Sequence, residues 1–443
     1  MIKKIVLAVV ALVAIVWIYY LTVGSKQIVV EMKKEVNKEI LTLKKSGFNV
    51  ENREVKGNKE HLVIDFNNTK EIAKYVNSKS NDITDEDIAL LKGLKVGLDI
   101  EYNPTAKNAM GIDIYPIKLP TIFYKNINSE DKKVVETIEK MVKSKDFLVH
   151  ININKLLLGF DGYVKDIDKE LKLKGFKFDG DIKGEEIRNV NQTIKEVSYT
   201  LPKEFKFELL NSKIFMSNPI DKSFNNVTKY SVKKIDIKGE GNDTTSIVLN
   251  SITGTSKDSK EDKLVDSVLK FNIASVDYVA EGTKNILKNI DTNIKIDNMN
   301  IEAFKELNKI LSKNLEEKDS FAKMIPILKK IVSSDISIDI PNISIEEIIK
   351  DGKNIKGFKL KASTTVDKNF DFKQIENNPL AINSLFNAKV NIEASSEFIS
   401  LISSDPRAMV MMMVLQPIDK NGKKYYDIEF SKGSLKINGK PFM

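Results

Sequence analysis

Apolar residues recur at every second position in one segment of this chain after another. Leu62, Ile64 and Phe66 form one row, and Phe147, Val149, Ile151 and Ile153 form another. The pattern continues in Leu171 with Leu173, then in Phe176 with Phe178 across Gly175, and in Ile235 with Ile237. Successive side chains of a strand point to opposite faces, so each row is the buried side of a half-buried strand. Pairs that favour turns, Asn67-Asn68, Asp161-Gly162 and Asp179-Gly180, lie among these segments. Parallel strands would need a crossover of a dozen or more residues at each step, so the short spacings predict antiparallel meanders. Helices interrupt them. Thr84 is an N-cap with Asp87 in the first turn ahead of Ile88, Leu90 and Leu91, and Asp131 to Lys143 reads as a second helix. The expected fold class is α+β: a β-rich, mainly antiparallel body with interspersed helices.

The start of the chain is different material. Lys3 and Lys4 precede an uncharged apolar run from Ile5 to Val23, which as a helix spans roughly 28 Å, close to the hydrocarbon thickness of a bilayer. Trp17, Tyr19 and Tyr20 form an interfacial belt at its far end. They also crowd Thr22-Val23-Gly24, a poor cleavage site. The run reads as a retained single-pass transmembrane helix. Lys26, Lys33, Lys34 and Lys38 beyond it outnumber Lys3 and Lys4, which favours a cytoplasmic body, yet long C-terminal domains translocate largely regardless of such charge. The expected location is a bacterial inner membrane, with residues 5–23 in the bilayer and the body in the periplasm. Ile28, Met32, Val36, Ile40 and Leu43 then draw one helical stripe that Gly47 ends. Glu35 and Lys38 lie on its outer face, so this helix packs on the domain that follows.

The Asn, Ser and Pro cluster from Ser217 to Asn226 marks an interior boundary. The expected organisation is an anchor over 1–24, a first β-rich region with its leading amphipathic helix over 25–216, and a second β-rich region over 217–443. The second region contains a repeat: Ile294 to Phe304 aligns without gaps on Ile338 to Ile348, 44 residues later. Each copy reads as a short strand, a turn and a helix beginning at Ile301 or Ile345. Asn300 caps the first helix, and Ser344 with Glu347 forms a capping box for the second.

A lysine-flanked anchor, a helix, and the segment Gly47-Phe48-Asn49-Val50-Glu51-Asn52-Arg53-Glu54-Val55 leading into a strand open the chain; Gly433-Ser434-Leu435-Lys436-Ile437-Asn438-Gly439-Lys440-Pro441 closes it. In these features it resembles the YdgA-like family of bacterial envelope proteins of unknown function. The resemblance implies a periplasmic body tethered to the inner membrane and carries over no catalytic residues.

Composition removes several chemistries. Of the 70 basic residues only Arg53, Arg188 and Arg407 are arginine, which leaves 67 lysines behind the net charge of +8. Specific phosphate and base recognition usually needs the forked guanidinium, so nucleic acid is not an expected partner. The chain has no cysteine, hence no disulfide, thiolate nucleophile, cysteine-based metal site or lipid-modified cysteine. Its two histidines, His61 and His150, occupy strand positions opposite the apolar rows and read as solvent-facing. No His-Glu-x-x-His, Gly-x-Ser-x-Gly, Gly-x-x-x-x-Gly-Lys-Ser/Thr or Gly-x-Gly-x-x-Gly occurs. Asp179-Gly180-Asp181-Ile182-Lys183-Gly184 matches a calcium loop at three positions, but Lys183 and Val190 stand where ligands belong, so it reads as a hairpin turn. Met409, Met411, Met412 and Met413 read as core packing and not as a copper site. Asp166 with Asp168 and Glu185 with Glu186 are the sort of pairs that 62 acids produce by chance. No catalytic, cofactor-binding or metal-binding residue is assigned, and no cofactor is expected.

The expected function is therefore non-enzymatic: an envelope protein that acts by binding through a β-rich surface, chiefly by protein contacts, with an envelope protein as the first expected partner and lipid as the other. The alternatives are a carrier with an apolar β-trough for lipid or another hydrophobic ligand, and a carboxylate-based envelope hydrolase. The apolar face of the sheet decides between core and trough: covered by helices it is core, open and continuous it is a ligand surface.

Overall fold

The computed structural model describes residues 30–79, 88–124, 129–156, 158–183, 186–201, 205–219, 225–239, 245–280, 282–311, 317–374, 378–403 and 415–442. The body is β-rich α+β, and every described strand pairing is antiparallel. Two compact units emerge: Met1–Ser198 with Ser217–Ile220, and Tyr199–Met216 with Asp221–Met443. Among the described residues no helix is long and apolar enough to cross a membrane. The expected anchor at residues 5–23 lies outside the described residues.

In the first unit, helix α1 (Val30–Lys45) buries Val36, Ile40 and Leu43, the last three positions of the expected stripe, whose first, Ile28, lies outside the described residues. Gly47 follows in the left-handed region at φ +92, where a β-carbon would also lie 2.6 Å from that of Glu71. The strands are β1 (Asn49–Lys56), β2 (Lys59–Asp65), β3 (Lys95–Tyr102), β4 (Asn108–Lys118), β5 (Val149–Asn154), β6 (Gly159–Val164), β7 (Ile167–Asp168), β8 (Leu171–Lys174), β9 (Lys177–Lys183) and β10 (Glu186–Leu201). β1 to β6 pair in chain order, β9 adds to β6, β10 adds to β9, and β7 pairs with β8. Rows of opposed side chains such as Leu62–Leu98–Ile114–Val149 and Ile100–Ile112–Ile151 are buried on one face. Helix α2 (Thr69–Lys79) buries Ile72, Ala73 and Val76. Helix α3 (Ser129–Lys143), two residues longer at its start than expected, contributes Met141 and Val142 to a cluster with Leu119, Phe123, Phe147 and Ile167.

Three expected turns are not hairpins. Asn67-Asn68 leads into α2, whose Ile72 N–H donates to the Asn68 carbonyl at 3.1 Å. Asp161-Gly162 and Asp179-Gly180 are strand interior, in β6 and β9, where Gly162 opposes Phe178 and Phe160 opposes Gly180. Each glycine makes room for the ring across from it. A β-carbon on Gly162 would meet the Phe178 ring at 2.4 Å, and one on Gly180 the Phe160 ring at 2.5 Å. The calcium-like loop is accordingly a strand through Lys183. The Thr84 cap lies outside the described residues, although Ile88 is helical and buried.

The second unit holds β11 (Phe205–Ser217), β12 (Asn226–Gly239), β13 (Ser246–Glu261), β14 (Leu264–Ala280), β15 (Thr283–Asn300), β16 (Ser337–Lys350), β17 (Lys353–Val366), β18 (Phe386–Ser395), β19 (Ile418–Lys420), β20 (Lys423–Ser431), β21 (Ser434–Ile437) and β22 (Lys440–Phe442). β12 to β18 pair in chain order, β20 joins β18, and β21 and β22 follow; β19 pairs with the start of β20. Asp351-Gly352, Asn421-Gly422 and Asn438-Gly439 hold both central residues at positive φ, the type I′ geometry that suits the twist of a two-residue hairpin. Helix α4 (Ile301–Leu311) continues β15 directly, and Ala303 N–H donates to Asn300 Oδ1 at 3.1 Å, the expected cap. Helix α5 (Glu317–Ser333) packs beside it, and Ala303, Ile327, Ile331 and Ile336 form a small core against Ile296, Met299 and Val366.

The expected repeat does not form. The second copy, Ile338 to Ile348, is one uninterrupted strand within β16, and Ser344 opposes Asp291 on one side and Lys359 on the other. β14 starts at Leu264, opposite Asn300, so beyond Asn300 the first copy has no ladder partner there and turns into α4. The second copy is flanked by β15 and β17 as far as Lys350. Two ladders of backbone hydrogen bonds, with β-branched Ile343, Ile345 and Ile348, outweigh one helix cap.

Candidate functional site

A line of unpaired residues crosses the second unit's sheet. From β12 to β17, each ladder skips one position while keeping its register, at Lys233, Ser251, Ala274, Asn289, Glu346 and Gly357. Ser251 and Asn289 are left-handed at φ +51 and +52. A β-carbon on Gly357 would sit 1.9 Å from the Ile345 carbonyl oxygen, so only glycine fits there. A left-handed residue inside a strand turns the chain over, so that residues three apart, not two, share a face.

The side chains follow that rule. On one side of the line runs the opposed row Val232–Ile252–Ile273–Ile290–Ile345–Phe358, and on the other runs Ile235–Leu249–Val276–Leu287–Ile348–Ile355. Every member is three residues from its counterpart. The opposite face carries Ser231–Thr253–Asn272–Asp291–Ser344–Lys359 and Lys234–Asn250–Ser275–Lys288–Glu347–Lys356, again three apart. That face is laced by its own polar bonds: Asn250 Nδ2 donates to Ser275 Oγ at 2.9 Å, Lys288 Nζ to Glu347 Oε2 at 2.7 Å, and Asn342 Nδ2 to Asp291 Oδ2 at 2.6 Å. In β17, Ile355, Phe358 and Leu360 are half-buried while Lys356 and Lys359 are exposed. The unpaired line thus keeps one face apolar and the other polar along strands of 14 to 18 residues.

The apolar face is half-buried rather than sealed. Of the two rows, Ile348 is buried and the remaining residues are of intermediate exposure. The described helices reach its borders, α4 and α5 at Ile296, Met299 and Val366, and α6 (Ser396–Ile402) at Phe358, where Phe398 stacks at 5.0 Å. Six strands at about 4.8 Å spacing and five residues at about 3.3 Å give the face a footprint on the order of 400 Å².

The first unit carries a second feature on its polar face. Glu54, His61, Asp99, Asp113, His150 and Tyr163 are directly opposed in one row across β1 to β6. His61 Nδ1 meets Asp99 Oδ1 at 2.6 Å, and His150 Nδ1 meets Asp113 Oδ1 at 2.7 Å. His150 Nε2 lies 3.1 Å from Asn152 Oδ1, while Asn152 Nδ2 donates to Asp161 Oδ2 at 3.1 Å. Both ring nitrogens of His150 therefore face acceptors, a setting for the imidazolium. The Asp113 hydrogen bond raises its pKa above the ordinary histidine value, outweighing burial. Burial pushes the Asp99 carboxyl up, but hydrogen bonds with His61, Tyr115 and Lys145 together bring it below the usual carboxylate value. Lys145 Nζ reaches Asp99 Oδ2 at 3.2 Å and lies 3.6 Å from the Tyr115 ring centre.

Glu54, His61, Asp99, Asp113 and His150 line a cavity of about 410 Å³ that Pro104 borders above Gly111. Its charges are matched in place, Lys56 with Glu54 at 2.9 Å and Lys59 with Glu101 at 3.7 Å. Among the described residues no serine or threonine lines it, and no three metal-ligating side chains converge anywhere. The arrangement ties four strands together. Sequence reading placed both histidines opposite the apolar rows but not in one row with two aspartates, because that juxtaposition depends on register alone.

The other acidic residues serve as local supports. Asp166 Oδ1 accepts from Gly175 N–H at 2.8 Å, Asp168 pairs with Lys174 at 3.3 Å, and Asp179 and Asp181 accept from Asn191 and Asn189. Glu185 and the methionines from Met409 to Met413 lie outside the described residues. Compared with protein-family models, with curated proteins and with solved structures, the chain matches none.

Proposed function

We propose that the protein is a non-enzymatic, inner-membrane-anchored binding protein that works in the periplasm through the apolar face of its second unit. The observation that carries this reading is the continuity of that face. Two apolar rows cross six strands on one side, held there by an unpaired line, while the side chains remain half-buried. A face meant only as core would be sealed by helices, and here the described helices reach its borders. The uncharged run from Ile5 to Val23 supports the tether, and the resemblance of the two chain ends to YdgA-like envelope proteins supports the location.

The test is complementation in a strain where loss of the gene has an envelope phenotype, with protein abundance checked. Ile252→Asp with Ile273→Asp should abolish function at near-normal abundance, because a charge is set in the middle of the binding face. His61→Gln with His150→Gln should leave it intact. The opposite pattern would refute the binding reading and turn attention to the carboxylates of the first unit's cavity.

A further inference from the structure

Resting on the reading of the apolar face as a binding surface, we propose that its ligand is an anionic lipid. Its acyl chains lie along the strands, and its headgroup is held by Lys350 and Lys353. The next row on that face beyond Ile348–Ile355 is Ile237–Ile247–Tyr278–Asn285–Lys350–Lys353, apolar on β12 and β13 and polar to cationic from β14 to β17. The face therefore does not fade at this end; it changes chemistry. Tyr278 is 40% exposed, an apolar ring with a polar tip suited to the boundary between hydrocarbon and headgroup. Lys350 and Lys353 are brought side by side by the Asp351-Gly352 turn. Two ammonium groups against the single turn carboxylate of Asp351 leave a net positive site, while Asp277 and Glu347 nearby belong to the polar face, engaged by Lys284 and Lys288.

The other end is apolar and covered. Ile296 and Met299 lie under α4 and α5, so a chain entering from the lysines runs over a mainly apolar path, crossed by one row, Tyr230–Gly254–Phe271–Thr292–Ile343–Leu360, that carries two hydroxyls. From the row of Ile294 to that of Leu287 is seven residues, about 23 Å at 3.3 Å per residue. One leaflet of a bilayer's hydrocarbon is about 15 Å thick, half of roughly 30 Å. The strip has the length for an acyl chain, and its ends match the two ends of an anionic lipid: cationic with a tyrosine at one, apolar at the other. A neutral oil would make no use of the lysines.

Photo-crosslinking of the full chain tests this. A benzophenone side chain is introduced in place of Ile273 on the apolar face or Asn272 on the polar face. The protein is then irradiated with vesicles of phosphatidylcholine alone or of phosphatidylcholine with phosphatidylglycerol. Lipid adducts are expected at position 273 and not at 272, several-fold more abundant when phosphatidylglycerol is present. Lys350→Glu with Lys353→Glu should bring that yield down to the phosphatidylcholine level, with an unchanged melting temperature as the control for folding. Equal yields from both vesicles, a preference that survives the charge reversal, or protein instead of lipid adducts at 273 would overturn the anionic-lipid assignment and leave the apolar face as a binding surface. No adduct of any kind at 273, or equal adducts at 272 and 273, would overturn the underlying reading with it.

Discussion

His150 shows how much of one residue's role depends on its neighbours across the sheet. It is held between Asp113 and Asn152 and stacks on Tyr163 with ring centres 5.1 Å apart. Folding raises its pKa, so its contribution to stability is complete below the unfolded value near 6.5 and is lost as pH rises through the folded value. His150→Gln should cost about 1.5 kcal/mol in acid solution, and the gap to the native protein should narrow toward pH 8. Denaturant melts at several pH values check this; a gap that widens with pH would contradict it. Gly162 and Gly180 are as specific, because the facing rings of Phe178 and Phe160 occupy their β-carbon space. Replacing either with Ala should cost roughly 2 kcal/mol through overpacking, measurable as a lower denaturation midpoint. The polarity of the histidine positions was legible in the alternation around Leu62 and Val149. The pairing with Asp99 and Asp113 was not, since residues 38 and 37 positions apart meet only through register. For the same reason Asp-Gly read as a turn where a ring needed space.

At the scale of elements, local chemistry and ladder partners compete, and the partners decide. Asn300 and Ser344 look alike in sequence as helix caps, yet one opens α4 and the other lies mid-strand between β15 and β17. Asn300→Ala should therefore cost about 1 kcal/mol, while Ser344→Ala should cost clearly less, having no cap to lose. Equal losses in thermal or denaturant melts would contradict that difference. The helix at Val36, Ile40 and Leu43 was legible because its stripe and its stopping glycine agree, and the β5 strand because Val149, Ile151 and Ile153 alternate strictly. The long strands of the second unit were harder to read, since their alternation breaks at the unpaired line. Val232 and Ile235, or Ile273 and Val276, are three apart, a spacing that suggests a helix or noise until Ser251 and Asn289 are seen at positive φ. Gly357→Ala tests the line itself. With the Ile345 carbonyl 1.9 Å from the new β-carbon, it should cost at least about 2 kcal/mol, against the few tenths expected at an open position.

At the scale of the whole molecule, the proposed function needs two things, a tether at residues 5–23 and a binding face assembled by register. The proposed tether rests on composition over one short run. The face follows from six strands agreeing on where to interrupt their ladders, which no single segment announces. The most direct test is native mass spectrometry of the full-length protein purified from its own membranes, beside the variant carrying Ile252→Asp and Ile273→Asp. A bound ligand with an acyl chain is expected on the native protein, absent from that variant and retained when His61 and His150 are both replaced by Gln. A native protein that carries nothing, or a ligand that survives the two aspartates but not the loss of the histidines, would contradict it.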